Sequence, residues 1–205
     1  MLEQVIPFLT ASVILTLMPG PDVVYVLVQS IAYGKRTGIV ISLGLVTGVL
    51  VHTSLVAFGV SALLKSSPTF FFFIKMIGAF YLFYLAYKAF KAKPEINLNQ
   101  TNPIVQKSAW YYYRQGFFMN LLNPKVLLFF LSFFPGFLWK DTQLIKQFYL
   151  LGGIFIVQGL LIFSLIAVMA SSLKKYILTH KNALQAIAYV QVFMFSLLGI
   201  LILFS

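Results

Sequence analysis

Residues 17–24 read LMPGPDVV, placing two prolines, a glycine and an aspartate inside an otherwise apolar run. Pro19 and Pro21 carry no backbone N–H and clash with the preceding turn, and Gly20 offers no side chain to hold a helix, so the spacing predicts a break here. Asp22 then falls in the first turn of a second half-helix, where an acid complements the positive end of the helix dipole. Inside a bilayer such a break is tolerated only where its freed amides and carbonyls meet other protein or a wet cavity. Pro19, Gly20, Pro21 and Asp22 are therefore candidate site residues.

The surroundings of this stretch make a bilayer the expected solvent. Of 205 residues, 60% are hydrophobic and 9% charged, and the mean hydropathy of +0.94 lies outside the balance of soluble domains. The net charge is +11, but the cations cluster between apolar runs, which reads as topology signal and contact with anionic lipid rather than nucleic-acid binding. With no cysteine there is no disulfide, thiolate metal site or dithiol relay, and no cofactor is expected. Residues 1–9, MLEQVIPFL, lack the basic region of a cleaved signal peptide, so the first helix is expected to be retained.

A span of about 20 apolar residues crosses a hydrocarbon core of roughly 30 Å. By that measure the chain predicts six helices, over 4–31, 37–64, 68–89, 114–138, 147–171 and 184–204. The polar linker between the third and fourth divides one transmembrane domain, 1–205, into a first repeat 1–90, a cytoplasmic linker 91–113 and a second repeat 114–205. Ten loop cations follow helices one, three and five, among them Lys35, Arg36, Lys88, Lys91 and Lys107; Lys65, Lys140 and Lys146 lie on the other side. The positive-inside rule then puts both termini outside. Each repeat has an odd number of helices, so the second enters the membrane inverted.

The inverted halves share a motif. Pro21-Asp22-Val23-Val24 in helix one corresponds to Pro124-Lys125-Val126-Leu127 in helix four, so helix four is expected to break at Asn123 and Pro124. Asn123 suits an N-cap and Pro124 the first helical position, leaving Lys125 near the positive end of a dipole, where a cation is disfavoured without an anion nearby. Asp22 lies about 18 residues into a span entered from outside and Lys125 about 11 into one entered from inside. At about 1.5 Å per residue they approach the same depth, which predicts a charge pair. Gly44 and Gly48 form a GxxxG, first of all a helix-packing face. His52, one turn further on, is either a hydrogen-bonded packing residue or a cavity-lining proton acceptor. Lys75 is expected to snorkel toward the outer surface.

Several of these residues carry a resemblance. The PGPD of Pro19 to Asp22, Gly44 and Gly48, the run KMIGAFYLFYL from Lys75 to Leu85, and Gly116 followed by NLLNPK from Asn120 to Lys125 resemble the LysE/RhtB family of lysine and homoserine/threonine exporters. One departure is Phe134-Pro135-Gly136-Phe137, where many members carry a glutamine after the proline. The resemblance implies a six-helix protein of the bacterial cytoplasmic (inner) membrane; with the residue reading above, the expected fold is all-α and polytopic, six transmembrane helices as two inverted three-helix repeats with helices one and four broken. It implies export of amino acids or related small metabolites from the cytoplasm, and a homo-oligomer is compatible with it.

The leading reading is a secondary transporter with Asp22 near the substrate ammonium, and Lys125 and the half-helix amides near the carboxylate. Asn120 joins Asn123, Pro124, Gly44, Gly48 and His52 as a further candidate. No nucleotide-binding motif is present, so an ion or substrate gradient is the expected drive, with the proton first. The alternative is transport of a metal cation or other small solute on the same scaffold. A hard-metal path wants several acids and the spans offer one. No HExxH, paired aspartates or nucleophile motif supports an enzyme.

Overall fold

A computed structural model describes residues 2–60, 68–91, 107–140, 142–179 and 183–204, and these are helical or turn throughout, with no strand among them. The helices are α1 (Leu2–Leu17), α2 (Pro21–Tyr33), α3 (Lys35–Leu55), α4 (Pro68–Lys91), α5 (Ala109–Leu121), α6 (Pro124–Leu128), α7 (Leu144–Thr179) and α8 (Ala183–Phe204). A π-helical turn, Val56–Val60, extends α3, and α6 runs on through a π turn, Phe129–Phe133, into a 3-10 turn, Phe134–Phe137. Two segments, Lys35–Gly59 and Leu144–Ala170, are each long and apolar enough to cross a membrane. Two further pairs meet that requirement jointly while bending at a break: Leu2–Leu17 with Pro21–Tyr33 by 55°, and Ala109–Leu121 with Pro124–Phe137 by 47°.

Both breaks fall where proline removes a donor. At the first, Met18 N still donates to Ile14 O, helical bonding resumes with Val24 N to Gly20 O, and Gly20 between them is extended at φ −157°, as a residue preceding proline prefers. At the second, Leu122 N donates to Phe118 O; Asn123 then caps α6, its Oδ1 accepting from Lys125 N at 3.0 Å, with Pro124 at the first helical position. α2 and α3 join through Gly34, whose φ of +88° is open to glycine and strained for other residues.

Two boundaries differ from the sequence expectation by more than one helical turn. α5 begins at Ala109, ahead of the expected 114, because Ser108 caps it, its Oγ accepting from Tyr111 N at 3.3 Å. α7 continues to Thr179 rather than 171, carrying Lys174 and Lys175 within a helix, since lysine propagates a helix well once the apolar span has ended. Most of the linker 91–113, together with Lys65, Lys93 and Lys181, lies outside the described residues.

α3 packs along α5 and α7, α7 also covers α1 and α2, and α4 lies on α8. The interior divides into two apolar clusters. One gathers Phe8, Leu15 and Met18 with Val49 and Val56 of the α3 segment, Phe129, Phe130 and Phe134, and Phe148 and Phe155 of α7. The other gathers Val26 of α2, Ile41, Leu45 and Val46 of α3, Tyr112, and Phe163 and Ala167 of α7. α3 and α7 each feed one cluster with their first half and the other with their second. Buried polar residues among the described ones include Thr16, Asp22, His52, Thr53, Asn120, Asn123, Lys125 and Gln158.

Candidate functional site

The two breaks meet at Lys125, which reaches from the start of α6 to the end of α1 and the start of α2. Lys125 Nζ lies 3.4 Å from Asp22 Oδ2 and 3.5 Å from Oδ1, with Asp22 2% and Lys125 3% exposed. Charges this deep persist only when paired and hydrogen-bonded, because removal from water costs several kcal/mol per ion.

Asp22 alone does not hold Lys125. Its ammonium also donates to Leu15 O at 3.2 Å and Met18 O at 3.3 Å. Leu15 O would accept from residue 19 in a continuous helix, but Pro19 has no N–H, so the carbonyl is left over by the break. Both oxygens belong to the carbonyl end of α1, the negative end of its dipole. Asp22 sits in the first turn of α2, the positive end of the second half-helix. The break thus presents an anion and two carbonyl oxygens toward one ammonium. An ammonium has three N–H groups, and the Asp22 carboxylate, Leu15 O and Met18 O give each an acceptor.

The second break is capped in a parallel way. Pro124 leaves Asn120 O without its helical donor, and His52 Nε2 donates to that oxygen at 3.2 Å while Asn123 N donates at 3.0 Å. His52, 1% exposed, is thereby bonded through Nε2 to the end of α5, with its ring 5.8 Å from that of Phe130. Its Nδ1 has no partner, and neither do Asn120 Oδ1, Asn123 Nδ2, Thr53 Oγ1 or Gln158 Oε1. Buried polar atoms left unpaired in this way are uncommon in folded proteins, and two of these belong to Asn120 and Asn123 at the second break.

The remaining sequence candidates separate into two groups. A Cβ on Gly20 would lie 2.7 Å from Asp22 Oδ1 and 3.1 Å from Lys125 Nζ, so the absent side chain is what lets the backbone of the break approach the pair. A Cβ on Gly44 would collide with Tyr113 O, and one on Gly116 with Ile41 O; these glycines let α3 and α5 touch through their backbones. Gly48 serves the same face, against the Asn120 side chain. Pro21 and Pro124 are exposed at the starts of their half-helices and Pro19 is half-buried. Lys75 is half-buried on α4, away from the motif-matched pair in sequence.

Gln158 is a site residue the sequence reading passed over. From α7 its Nε2 donates to Thr16 Oγ1 at 3.0 Å and to Ser12 O at 3.4 Å, while Thr16 Oγ1 donates to Ser12 O at 2.8 Å. It ties α7 to the last turns of α1 before the break. The signal was present: a glutamine in the middle of an apolar span is costly unless bonded.

The profile of the family described as LysE type translocator matches residues 13–205, both breaks included. The chain is 28% identical over 170 residues to the homoserine/homoserine lactone efflux protein of Salmonella typhimurium, covering 83% of this chain and 82% of the relative. It is 27% identical over 187 residues to an uncharacterized membrane protein of Bacillus subtilis, covering 88% and 89%. An uncharacterized membrane protein of Vibrio cholerae is 30% identical over 145 residues, covering 71% and 70%. No solved structure matches the chain. With the match running through both broken helices and the buried pair between them, the chain belongs to the LysE type translocator family, and is a membrane transporter rather than an enzyme.

Proposed function

We propose that this translocator exports amino-acid-like zwitterions from the cytoplasm through the centre where the two broken helices meet. The observation that carries the reading is the buried pair of Asp22 and Lys125 joining the breaks, with polar atoms left without partners on Asn120 and Asn123 at the second break. An apolar scaffold needs none of these groups, whereas a transport centre needs acceptors and donors that a passing solute completes. The name of the Salmonella relative, an efflux protein for homoserine and its lactone, supports a small amino-acid-like solute.

In this reading the chain spans the inner membrane six times as two inverted repeats, 1–90 and 114–205, with both termini outside. The packing supports it. A two-fold axis in the membrane plane would pair α3 with α7 and α4 with α8, and would match the contact of α3 with α5 to that of α7 with α1; all four contacts are made. The drive is a proton gradient used in antiport, with Asp22 as the proton carrier, since it is the one carboxylate buried among the described residues.

Cells lacking the protein are loaded with dipeptides and their internal amino acids are measured over time. The reading expects one or a few amino acids to accumulate and to fall again when wild-type protein, but not Asp22→Asn, is supplied. An unchanged amino-acid pool for every dipeptide counts against amino-acid export.

A further inference from the structure

We infer that Leu15 O, Met18 O and the Asp22 carboxylate form a receptor for a primary ammonium group. Lys125 fills this receptor in the resting protein, and the ammonium of the transported molecule enters by displacing it. The inference rests on the exporter reading and deepens it by assigning the cation end of the substrate to one set of atoms.

The argument begins with donor counting. Lys125 Nζ is bonded to Leu15 O, Met18 O and Asp22, so each of its three N–H groups is engaged. A substrate carboxylate approaching Lys125 would find no N–H available and would lie beside the Asp22 carboxylate, a like charge. A substrate ammonium meets the reverse situation. Two carbonyl oxygens at the negative end of α1 and one carboxylate are a complete set of acceptors for any primary ammonium, and their arrangement follows from Pro19 and from the bend, not from Lys125.

Access and exchange follow from the same geometry. Gly20 brings the backbone of the break hard against the pair, since a Cβ there would lie 2.7 Å from Asp22 Oδ1 and 3.1 Å from Lys125 Nζ, and Gly20 itself is partly exposed, so the cradle lies one residue from an accessible backbone. When a ligand ammonium takes the cradle, the net charge of the buried site is kept only if the Lys125 ammonium withdraws from it. Asn120 Oδ1 and His52 Nδ1 are acceptors without partners, on residues bonded to each other at the second break, from which Lys125 projects. Lys125 thus acts as an internal competitor, and its exchange with the ligand ties occupancy to the contact between the two broken helices.

The test uses full-length protein purified in detergent. Lys125→Ala removes the atoms of an n-propylammonium ion, so that ion is the probe and n-propanol its uncharged control. Thermal unfolding is followed during titration of wild type, Lys125→Ala and Lys125→Ala/Asp22→Asn. Removing a competitor that holds the site more than nine-tenths of the time tightens apparent affinity at least about tenfold. Lys125→Ala is therefore expected to be stabilised saturably by propylammonium, at least about tenfold more tightly than wild type and not by propanol, with the response lost in the double variant. No response in Lys125→Ala, or equal responses in variant and wild type, overturns the assignment.

A second measurement needs no variant. Acetylation of Lys125 in the wild-type protein, read by peptide mass spectrometry, is expected to rise severalfold with propylammonium, because the displaced amine leaves its cradle; unchanged or reduced acetylation overturns the inference. Neither readout involves transport. Failure of amino-acid export in cells therefore leaves these results standing, and their failure leaves the exporter reading to its own test.

Discussion

A carbonyl oxygen deprived of its helical donor inside a membrane must find another, and in this chain the two prolines that deprive it decide where Lys125 and His52 bond. Pro19 releases Leu15 O to Lys125, and Pro124 releases Asn120 O to His52. The approach of Asp22 to Lys125 was legible because both follow a proline in matching motifs at matching depth. The capture of Lys125 by the carbonyls of α1 was not, because it depends on the bend angle and on a side chain crossing between helices, neither of which has a sequence signature. Gln158 was missed for the same reason, its partners Thr16 and Ser12 lying on another helix. Removing one member of a buried ion pair leaves the other charge uncompensated, at about 3–5 kcal/mol, whereas removing both relieves it. Thermal unfolding of Asp22→Asn, Lys125→Gln and the double variant is expected to show each single change more destabilising than the double. Additive losses would mean that the two charges are independent.

At the scale of elements, punctuation by proline and glycine was readable and its continuation was not. Both breaks lie where the residues put them, yet the π turns at Val56–Val60 and Phe129–Phe133 arise without proline or a distinctive composition. A single wide turn costs little and re-aims the phenylalanines that follow, here Phe133 and Phe134 of the larger cluster. Helix ends were the weaker part of the reading, as the capping by Ser108 and the extension of α7 show. Gly44 and Gly116 meet across α3 and α5, so a side chain at either must push the helices apart. Gly44→Leu is expected to destabilise the protein by about 1–3 kcal/mol, as overpacking does, and Gly153→Leu, at a glycine with open space around it, by much less. Unfolding midpoints of the two variants check this, and equal losses would show that α3 and α5 are free to separate.

For the molecule as a whole, the proposed topology makes the buried pair a barrier reached from each side in turn. Reporter fusions after Pro94 and after Ser205 test the orientation: the first is expected to report cytoplasm and the second the outside, whereas a cytoplasmic C-terminus would remove the inverted arrangement of the halves. Class and membrane location were legible in composition, because 60% hydrophobic residues with 9% charged leave no soluble alternative. The transported molecule was not, because the sequence does not show which polar atoms from separate helices come together. The measurement that bears most directly on the central claim is efflux from proteoliposomes loaded with a mixture of amino acids under an imposed pH gradient, comparing wild type with Asp22→Asn inserted to the same level. The account predicts that wild type releases selected amino acids in response to the gradient and that Asp22→Asn loses this response while retaining slow exchange. Gradient-driven release by Asp22→Asn at the wild-type rate would contradict it.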